Sequence, residues 1–369
     1  MTSAILLIDD RPEMLNPLKE AVEPLLNEGE AEVIAWLPER ADNESGDARD
    51  KFNELIEQNS VELVITDYDL TRSERGLFGP SIVQWCQFKS IPAGDYTNDP
   101  KRNHLPPRPN LFELRVPSDP KQTAKFVVAA FRGFRQIRER LETDESLLEK
   151  RSPSAVIAAI LGAEERELQF AQYSTKYGFS NSALLAHLMP PAETHTESSP
   201  ESKRKLLAYI CGHLLLNSIL KYPGPILDMP ALAAYVAVAV DAEQATLTEI
   251  FARARYNGPF SDLAQYYWTS EVDEILEELS PEDEGSISAD SIGGINRRIL
   301  EAKVGRKLTR HNCERCGGER GGFICPLTKK VVCQLGECSS PSNSWTPEGA
   351  RFCRIERVFF DEWAPILDL

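Results

Sequence analysis

The sequence predicts a multidomain protein that begins with a doubly wound, five-stranded parallel α/β sheet and continues with a helical region and a small cysteine-rich module. Apolar runs at residues 4–8 and 63–66 each precede a helical pattern, which is typical of buried parallel strands. From Ser152 onward the pattern is helical, and no strand is predicted before about residue 320. Six of the eight cysteines lie between Cys313 and Cys353, which indicates the third module.

Local signals place the other elements of the first domain. Pro12 fits the first turn of a helix that starts near Asp10 and runs to Leu26. The further predictions are strands at 32–36 and 111–116, and helices at 47–58, 79–87 and 122–141. Strands that alternate with helices favour a parallel sheet flanked by helices.

The length of 369 residues allows two or three domains, and we predict boundaries that give 1–145, 146–300 and 301–369. The middle region carries no recognisable motif. Ser152 and Ser199 each precede a proline and are predicted to cap helices. Further helices are predicted at 155–173, 200–221, 230–240 and 246–256.

Composition favours a soluble, cytoplasmic protein. The chain is 42% hydrophobic and 27% charged, which is ordinary for a globular protein. Its longest apolar stretch, 231–240, is too short to span a bilayer, so we expect no membrane partner. The net charge of −16 opposes non-specific attraction to nucleic acid or anionic lipid.

Acidic side chains follow two of the predicted strands. Asp9 and Asp10 end the first apolar run, and Asp67 ends the second. Ligands of open α/β sheets lie beyond the carboxyl ends of the strands. Three carboxylates brought there would repel one another unless a hard cation such as Mg²⁺, or a positive group of the protein, lay among them.

These residues also carry a resemblance. The segments at residues 5–10 and 63–70 resemble the acidic pair and the phosphoacceptor strand of response-regulator receiver domains, which have a flavodoxin-type fold. The resemblance covers residues 1–140. It implies that Asp9, Asp10 and Asp67 bind Mg²⁺, that Asp67 accepts a phosphoryl group, and that Thr97 is the switch hydroxyl. It also implies a protein partner, either a histidine kinase or another signalling protein.

The chain departs from the receiver pattern in three places. Val116-Pro117 stands where the family has Lys-Pro, so the lysine that contacts the phosphate is missing. Residues 41–48 lengthen the second crossover, and residues 92–108, with several prolines, replace the compact region around the fourth strand. The domain is therefore predicted to be a divergent receiver, and a pseudo-receiver that only docks proteins is the alternative.

A second aspartate chemistry fits part of the same segment. Asp67, Asp69 and Thr71 form the Asp-x-Asp-x-Thr pattern that resembles the nucleophile motif of haloacid-dehalogenase-like phosphatases. That family also needs a later lysine and a later acidic pair, and the sequence offers neither in a convincing context. The favoured prediction is therefore a protein that is not an enzyme.

The C-terminal cysteines predict a structural zinc site with the character of a zinc ribbon. Cys313 and Cys316 precede two glycines, as in a zinc knuckle, and Cys333 and Cys338 supply a second pair. Four thiolates suit tetrahedral Zn²⁺. Cys325 or His311 are alternative ligands, and Cys353 belongs either to the site or to the core.

Together these patterns predict a signalling protein in which a receiver-like domain is coupled to a helical and zinc-binding output region. The alternative is a zinc-dependent nucleic-acid binder that uses the basic segment from Arg297 to Lys330. The net charge does not favour that alternative. The basic residues considered for it are Arg297, Arg298, Lys303, Arg306, Lys307 and Arg310.

Overall fold

The computed structural model describes residues 3–38, 48–71, 77–96, 111–180, 199–280, 292–318, 322–340 and 346–364. The chain groups into two compact units. The first comprises Met1–Gly162 with Tyr177–Asn217, and the second comprises Ala163–Lys176 with Ser218–Leu369. The three-domain division at residues 145 and 300 stays a prediction.

The first unit contains a five-stranded parallel sheet, as the sequence predicts. Its strands are β1 (Ala4–Ile8), β2 (Glu32–Trp36), β3 (Val61–Asp67), β4 (Ala93–Tyr96) and β5 (Leu114–Arg115). Their order is β2-β1-β3-β4-β5, which is that of a flavodoxin-like fold. The strand order therefore reverses at β1 and β3, and the crevice at such a switch point is where this class of sheet binds ligands.

Among the described residues, four helices follow the strands of this sheet. They are α1 (Pro12–Val22), α2 (Ala48–Gln58), α3 (Gly79–Phe88) and α4 (Pro120–Thr143). Phe52 of α2 and Ile82 of α3 are fully buried in one apolar cluster with Val64 of β3. The helix α4 begins where Asp119 accepts a hydrogen bond from the Gln122 N–H at 2.9 Å. This packing holds the carboxyl ends of β1 and β3 in a fixed frame.

Further helical segments complete the first unit. They include a 3₁₀ turn at Glu145–Glu149 and helices at Pro153–Ile160 and Pro200–Leu214. The predicted caps are confirmed, because the Ser152 and Ser199 hydroxyls accept hydrogen bonds from backbone N–H groups of the first turn. His213 is fully buried, and burial lowers its pKa to about 3, so it is neutral at physiological pH.

The second unit is mainly helical, with three two-stranded sheets among its described residues. Its helices are Met229–Tyr235, Val240–Ile250, Thr269–Leu279, Ile292–Val304 and Arg357–Trp363, and the helix Glu167–Ser180 begins in it. Its antiparallel strand pairs are Ile226–Asp228 with Tyr266–Trp268, Phe323–Ile324 with Val331–Val332, and Ser339–Ser340 with Ile355–Glu356.

One of these pairs differs from the sequence prediction. The strands at 226–228 and 266–268 lie in a region for which no strand is predicted. Each has three residues, too few for the period-two alternation that marks a strand in a sequence. Among the described residues, the helices are all too short or too polar for one to cross a bilayer.

Candidate acidic pocket and cysteine cluster

An acidic pocket lies at the carboxyl edge of the parallel sheet. Ile8 of β1 pairs with Thr66 of β3. The residues that follow them, Asp9 and Asp67, therefore carry their carboxylates to the same edge of the sheet. Oxygen atoms of Asp9, Asp10 and Asp67 all lie within 4.8 Å of one another. The structure thus brings together the three carboxylates that the sequence singles out.

Burial makes this grouping electrostatically costly. Asp9 is 0% exposed and Asp67 is 4% exposed. Burial, together with the negative charge of Asp9, raises the pKa of Asp67 to about 7, although Arg11 opposes the shift. The carboxylates therefore need a positive partner when all of them are ionised.

Arg11 supplies a positive group to this pocket. Its Nη2 donates to Asp67 Oδ2 at 3.1 Å, and its Nε donates to Asp9 Oδ1 at 3.3 Å. The Arg11 backbone N–H also donates to Asp9 Oδ1, at 2.9 Å. The Nε lies 3.9 Å from Asp10 Oδ1. One guanidinium thus joins the ends of β1 and β3.

Tyr96 provides a further polar contact. It is the last residue of β4 and pairs with Asp67 in the sheet. Its hydroxyl donates to Asp9 Oδ2 at 2.5 Å. Burial and the Asp9 charge raise the pKa of Tyr96, which keeps its hydroxyl a donor at neutral pH.

Sequence reasoning missed both Arg11 and Tyr96. Arg11 directly follows the acidic pair, and Tyr96 ends the strand next to β3, so each had a positional signal. Thr97, which the resemblance implies is the switch hydroxyl, lies outside the described residues. Asp69 of the phosphatase-like motif is exposed and accepts hydrogen bonds from the backbone N–H and hydroxyl of Thr71 at 3.1 and 2.6 Å.

The donor set of the pocket suits a hard divalent cation. Asp9, Asp10 and Asp67 offer only carboxylate oxygen, which is the ligand chemistry that Mg²⁺ prefers. Arg11 bonds to oxygens of two of these side chains, so a cation that took the same oxygens would have to displace the guanidinium. The pocket therefore combines a cation-binding donor set with an internal competitor.

A second cluster consists of thiols. The sulfur atoms of Cys313, Cys316, Cys333 and Cys338 all lie within 4.8 Å of one another. Cys316 is exposed, whereas the other three are buried. Such a group suits a tetrahedral soft-ligand metal such as zinc. That zinc binds there stays a prediction.

The first cysteine pair lies on a tight turn. The Gly317 N–H donates to the Cys313 carbonyl at 2.8 Å, and Gly317 has a positive φ of 68° that favours glycine. Burial raises the pKa of Cys313, but backbone N–H groups of Cys316 and Arg315 point at its sulfur, and the net pKa falls to about 7. The turn thus favours ionisation of the Cys313 thiol, which suits a metal ligand.

The alternative ligands lie outside this group of four. Cys325 accepts a weak hydrogen bond from the Thr328 N–H at 3.5 Å. Cys353 donates from its thiol to the Ala350 carbonyl at 3.6 Å. Burial lowers the pKa of His311, whose backbone N–H donates to the Ala237 carbonyl at 3.2 Å.

The basic segment from Arg297 to Lys330 is largely paired within its own unit. Arg306 forms a bidentate pair with the buried Glu243, with Nη1 and Nη2 at 2.9 and 2.6 Å from its oxygens. The other pairs are Arg297 with Glu301, Lys307 with Glu301, Lys329 with Asp228, and Lys330 with Glu356. These contacts leave less positive charge for a nucleic-acid backbone than the sequence suggests.

Compared with protein-family models, with curated proteins and with solved structures, the chain matches none. The site must therefore be interpreted from its own geometry.

Proposed function

We propose that the chain is a signal-transduction protein whose receiver-like domain accepts a phosphoryl group on Asp67 and passes the change to its helical and cysteine-rich regions. The observation that supports this most is the set of three carboxylates at the switch point between β1 and β3. Asp67 ends the central strand of the sheet, which pairs with β1 on one side and β4 on the other, so a chemical change there is well placed to affect both neighbours.

In this proposal Asp67 is the nucleophile. One of its carboxylate oxygens forms a bond to phosphorus while the bond from phosphorus to the donor breaks, and the donor group leaves with that electron pair. The donor is a phosphohistidine of a partner kinase or a small acyl phosphate. Asp9 and Asp10 would hold Mg²⁺, which when bound would offset negative charge on the transferring group. Tyr96 fixes the orientation of Asp9 through its hydrogen bond.

A second mode of action is favoured by one observation. Because Arg11 already bridges Asp9 and Asp67, the pocket has a positive partner without any metal. A domain stabilised in this way also suits phosphorylation-independent docking of a protein partner, which is the pseudo-receiver mode. The intramolecular pairing of the basic segment gives the nucleic-acid alternative no comparable support.

The cysteine cluster has a structural role in this proposal. Four protein ligands would fill the coordination sphere of zinc and leave no open position for substrate, as in structural rather than catalytic sites. Zinc held by Cys313, Cys316, Cys333 and Cys338 would join the turn that carries the first cysteine pair to the segments around the two-residue strands at Val331–Val332 and Ser339–Ser340.

The test is to treat the full chain with acetyl phosphate and Mg²⁺ and to measure its intact mass. We expect addition of one phosphoryl group, which is lost in Asp67→Asn and retained in Asp69→Asn. Asp69 is the matched control because it is an exposed aspartate two residues away. No adduct with acetyl phosphate, together with no spectral response to beryllofluoride, would contradict the phosphoacceptor mode and leave the docking mode.

A further inference from the structure

Arg11 occupies an unusual position for an arginine that directly follows a strand. Its backbone precedes α1 as the N-cap residue, yet its side chain turns back over the strand ends. Only 25% of the side chain is exposed. A solvated arginine would gain more conformational freedom by pointing outward, so the inward orientation reflects the attraction of the carboxylates.

The contacts of Arg11 use separate parts of its guanidinium. Nε faces Asp9, and Nη2 faces Asp67, so the planar group spans both strand ends. Three carboxylates against one guanidinium leave the pocket with an excess of negative charge when all are ionised. Arg11 therefore reduces the repulsion without removing the demand for a further cation.

We propose that Arg11 is the counter-ion of the resting pocket, that it competes there with a divalent cation, and that its guanidinium moves to the phosphoryl group once that group is on Asp67. This inference rests on the proposed function, because it assigns the group that neutralises phosphoryl charge in a chain where Val116 stands in place of the lysine. It thus gives a role to Arg11, which is not one of the three carboxylate residues of the acidic pocket.

The geometry allows this exchange of partners. The Arg11 side chain lies at the partly exposed mouth of the pocket, in contact with the carboxylate that would carry the phosphoryl group. A guanidinium binds two oxygens of a phosphoryl group with two parallel N–H bonds, which a compact ammonium does not do. Only side-chain torsions need to change, because the Arg11 backbone N–H stays bonded to Asp9.

The first measurement is Mg²⁺ binding by calorimetry to the full-length protein and to the variants Arg11→Gln and Arg11→Lys. We expect Arg11→Gln to bind Mg²⁺ at least tenfold more tightly than the parent, because no guanidinium competes for the same oxygens. Lys19→Gln is the matched control, since it removes one positive charge from an exposed i,i+4 pair on the neighbouring helix. It should stay within twofold of the parent.

The second measurement is the rate of acyl-phosphate formation at saturating Mg²⁺. Arg11→Gln should be at least tenfold slower than the parent, and Arg11→Lys should recover part of the rate through its ammonium. Tighter metal binding together with slower phosphorylation supports the proposal. A purely structural role of Arg11 would weaken both properties, and that result would overturn it.

The remaining outcomes separate this inference from the proposed function. If the parent forms the acyl phosphate and Arg11→Gln matches it in rate and in Mg²⁺ affinity, the assignment of Arg11 is wrong and the phosphoacceptor function stands. If neither protein binds Mg²⁺ or forms the adduct, both are wrong. Far-ultraviolet circular dichroism of each variant confirms that the comparison is between folded proteins.

Discussion

The acidic pocket and the cysteine cluster differ in what offsets the repulsion between their ionisable side chains. Both gather side chains whose ionised forms repel one another within 4.8 Å. The acidic pocket has a positive group of the protein inside it, because Arg11 bonds to Asp9 and Asp67. The main influences on the pKa of the thiols of Cys313, Cys333 and Cys338 are burial, backbone N–H groups and the neighbouring thiols, and none of them is a cationic side chain. We therefore expect the two regions to differ in whether they need a metal in order to remain folded.

This difference indicates when metal binding to a group of residues can be regulatory and when it is structural. A pocket with its own counter-ion keeps its shape when the metal leaves, so cation binding there can act as a signal. A thiol cluster without one depends on the metal for its fold, and binding there contributes directly to folding stability.

The largest effect should follow the loss of one cysteine of the cluster. Cys333→Ser should abolish binding of stoichiometric zinc and unfold the segment around it, at a cost of more than about 4 kcal/mol. Elemental analysis and a denaturant titration check this. Cys325→Ser is the control, because Cys325 is buried nearby but lies outside the group of four. Loss of zinc from Cys325→Ser alone would reverse the assignment.

A second prediction concerns an arginine–carboxylate pair without competing carboxylates. Arg132 donates to Glu30 from Nε and Nη2 at 2.7 and 2.9 Å, and these bonds lower the pKa of Glu30 to about 2. The stabilisation is present above the ordinary pKa of a glutamate and is lost as the pH falls toward 2. Glu30→Gln should cost about 2 kcal/mol at pH 7 and much less at pH 2.5.

The Glu30 result is checked by urea titrations at the two pH values. Glu139→Gln is its control, since Glu139 belongs to an exposed i,i+4 pair with Arg135 on α4. Equal losses for Glu30→Gln at both pH values would contradict the sign of the shift. At Glu30 the hydrogen bonds from Arg132 outweigh burial and lower the pKa, whereas at Asp67 burial and the charge of Asp9 outweigh Arg11 and raise it.

A third prediction uses Asp67, whose pKa is shifted in the opposite direction. With a pKa raised to about 7, Asp67 loses stabilisation as the pH rises toward and through 7, because ionisation then becomes costly in the folded state. Asp67→Asn should therefore raise the stability at pH 8 by about 1 kcal/mol in the presence of a chelator. The gain should shrink at pH 6. A loss of stability at pH 8 would contradict the electrostatic description.

The smallest effect is expected for an exposed ion pair. Lys19 and Glu23 face each other on α1 at 3.6 Å, and both side chains are well exposed. Lys19→Gln should change the unfolding free energy by less than about 0.5 kcal/mol. A loss above 1 kcal/mol in the same urea titration would show that surface charge near the pocket matters more than direct contact with the carboxylates.

The sequence predicts the part of this molecule that depends on strong, repeated patterns. The aliphatic runs that end in Asp9 and Asp67 identify β1 and β3, and the rule that parallel strands share an edge brings their carboxylates together. The pairing of Cys313 and Cys316 with later cysteines follows in the same way from ligand chemistry. These predictions need only local composition and the topology of the sheet.

Other features cannot be predicted locally, because the same sequence pattern is compatible with more than one conformation. Nothing in the local pattern of Arg11 says whether its side chain points to solvent or folds over the strand ends. The choice depends on the charges that β3 brings next to it. Likewise, Cys325 precedes Cys333 and Cys338 follows it, and ligand chemistry alone does not say which of the two joins the group. In the structure Cys338 joins it, whereas Cys325 lies before the short strand at Val331–Val332 and stays outside.

The most direct test of this contrast is hydrogen–deuterium exchange of the zinc-loaded, full-length protein before and after treatment with a strong chelator and a reductant. The account predicts that peptides containing Cys313, Cys316, Cys333 and Cys338 lose protection, while peptides from β1 and β3 keep it because Arg11 bonds to carboxylates at both strand ends. Loss of protection in β1 and β3, or unchanged protection around the cysteines, would contradict it.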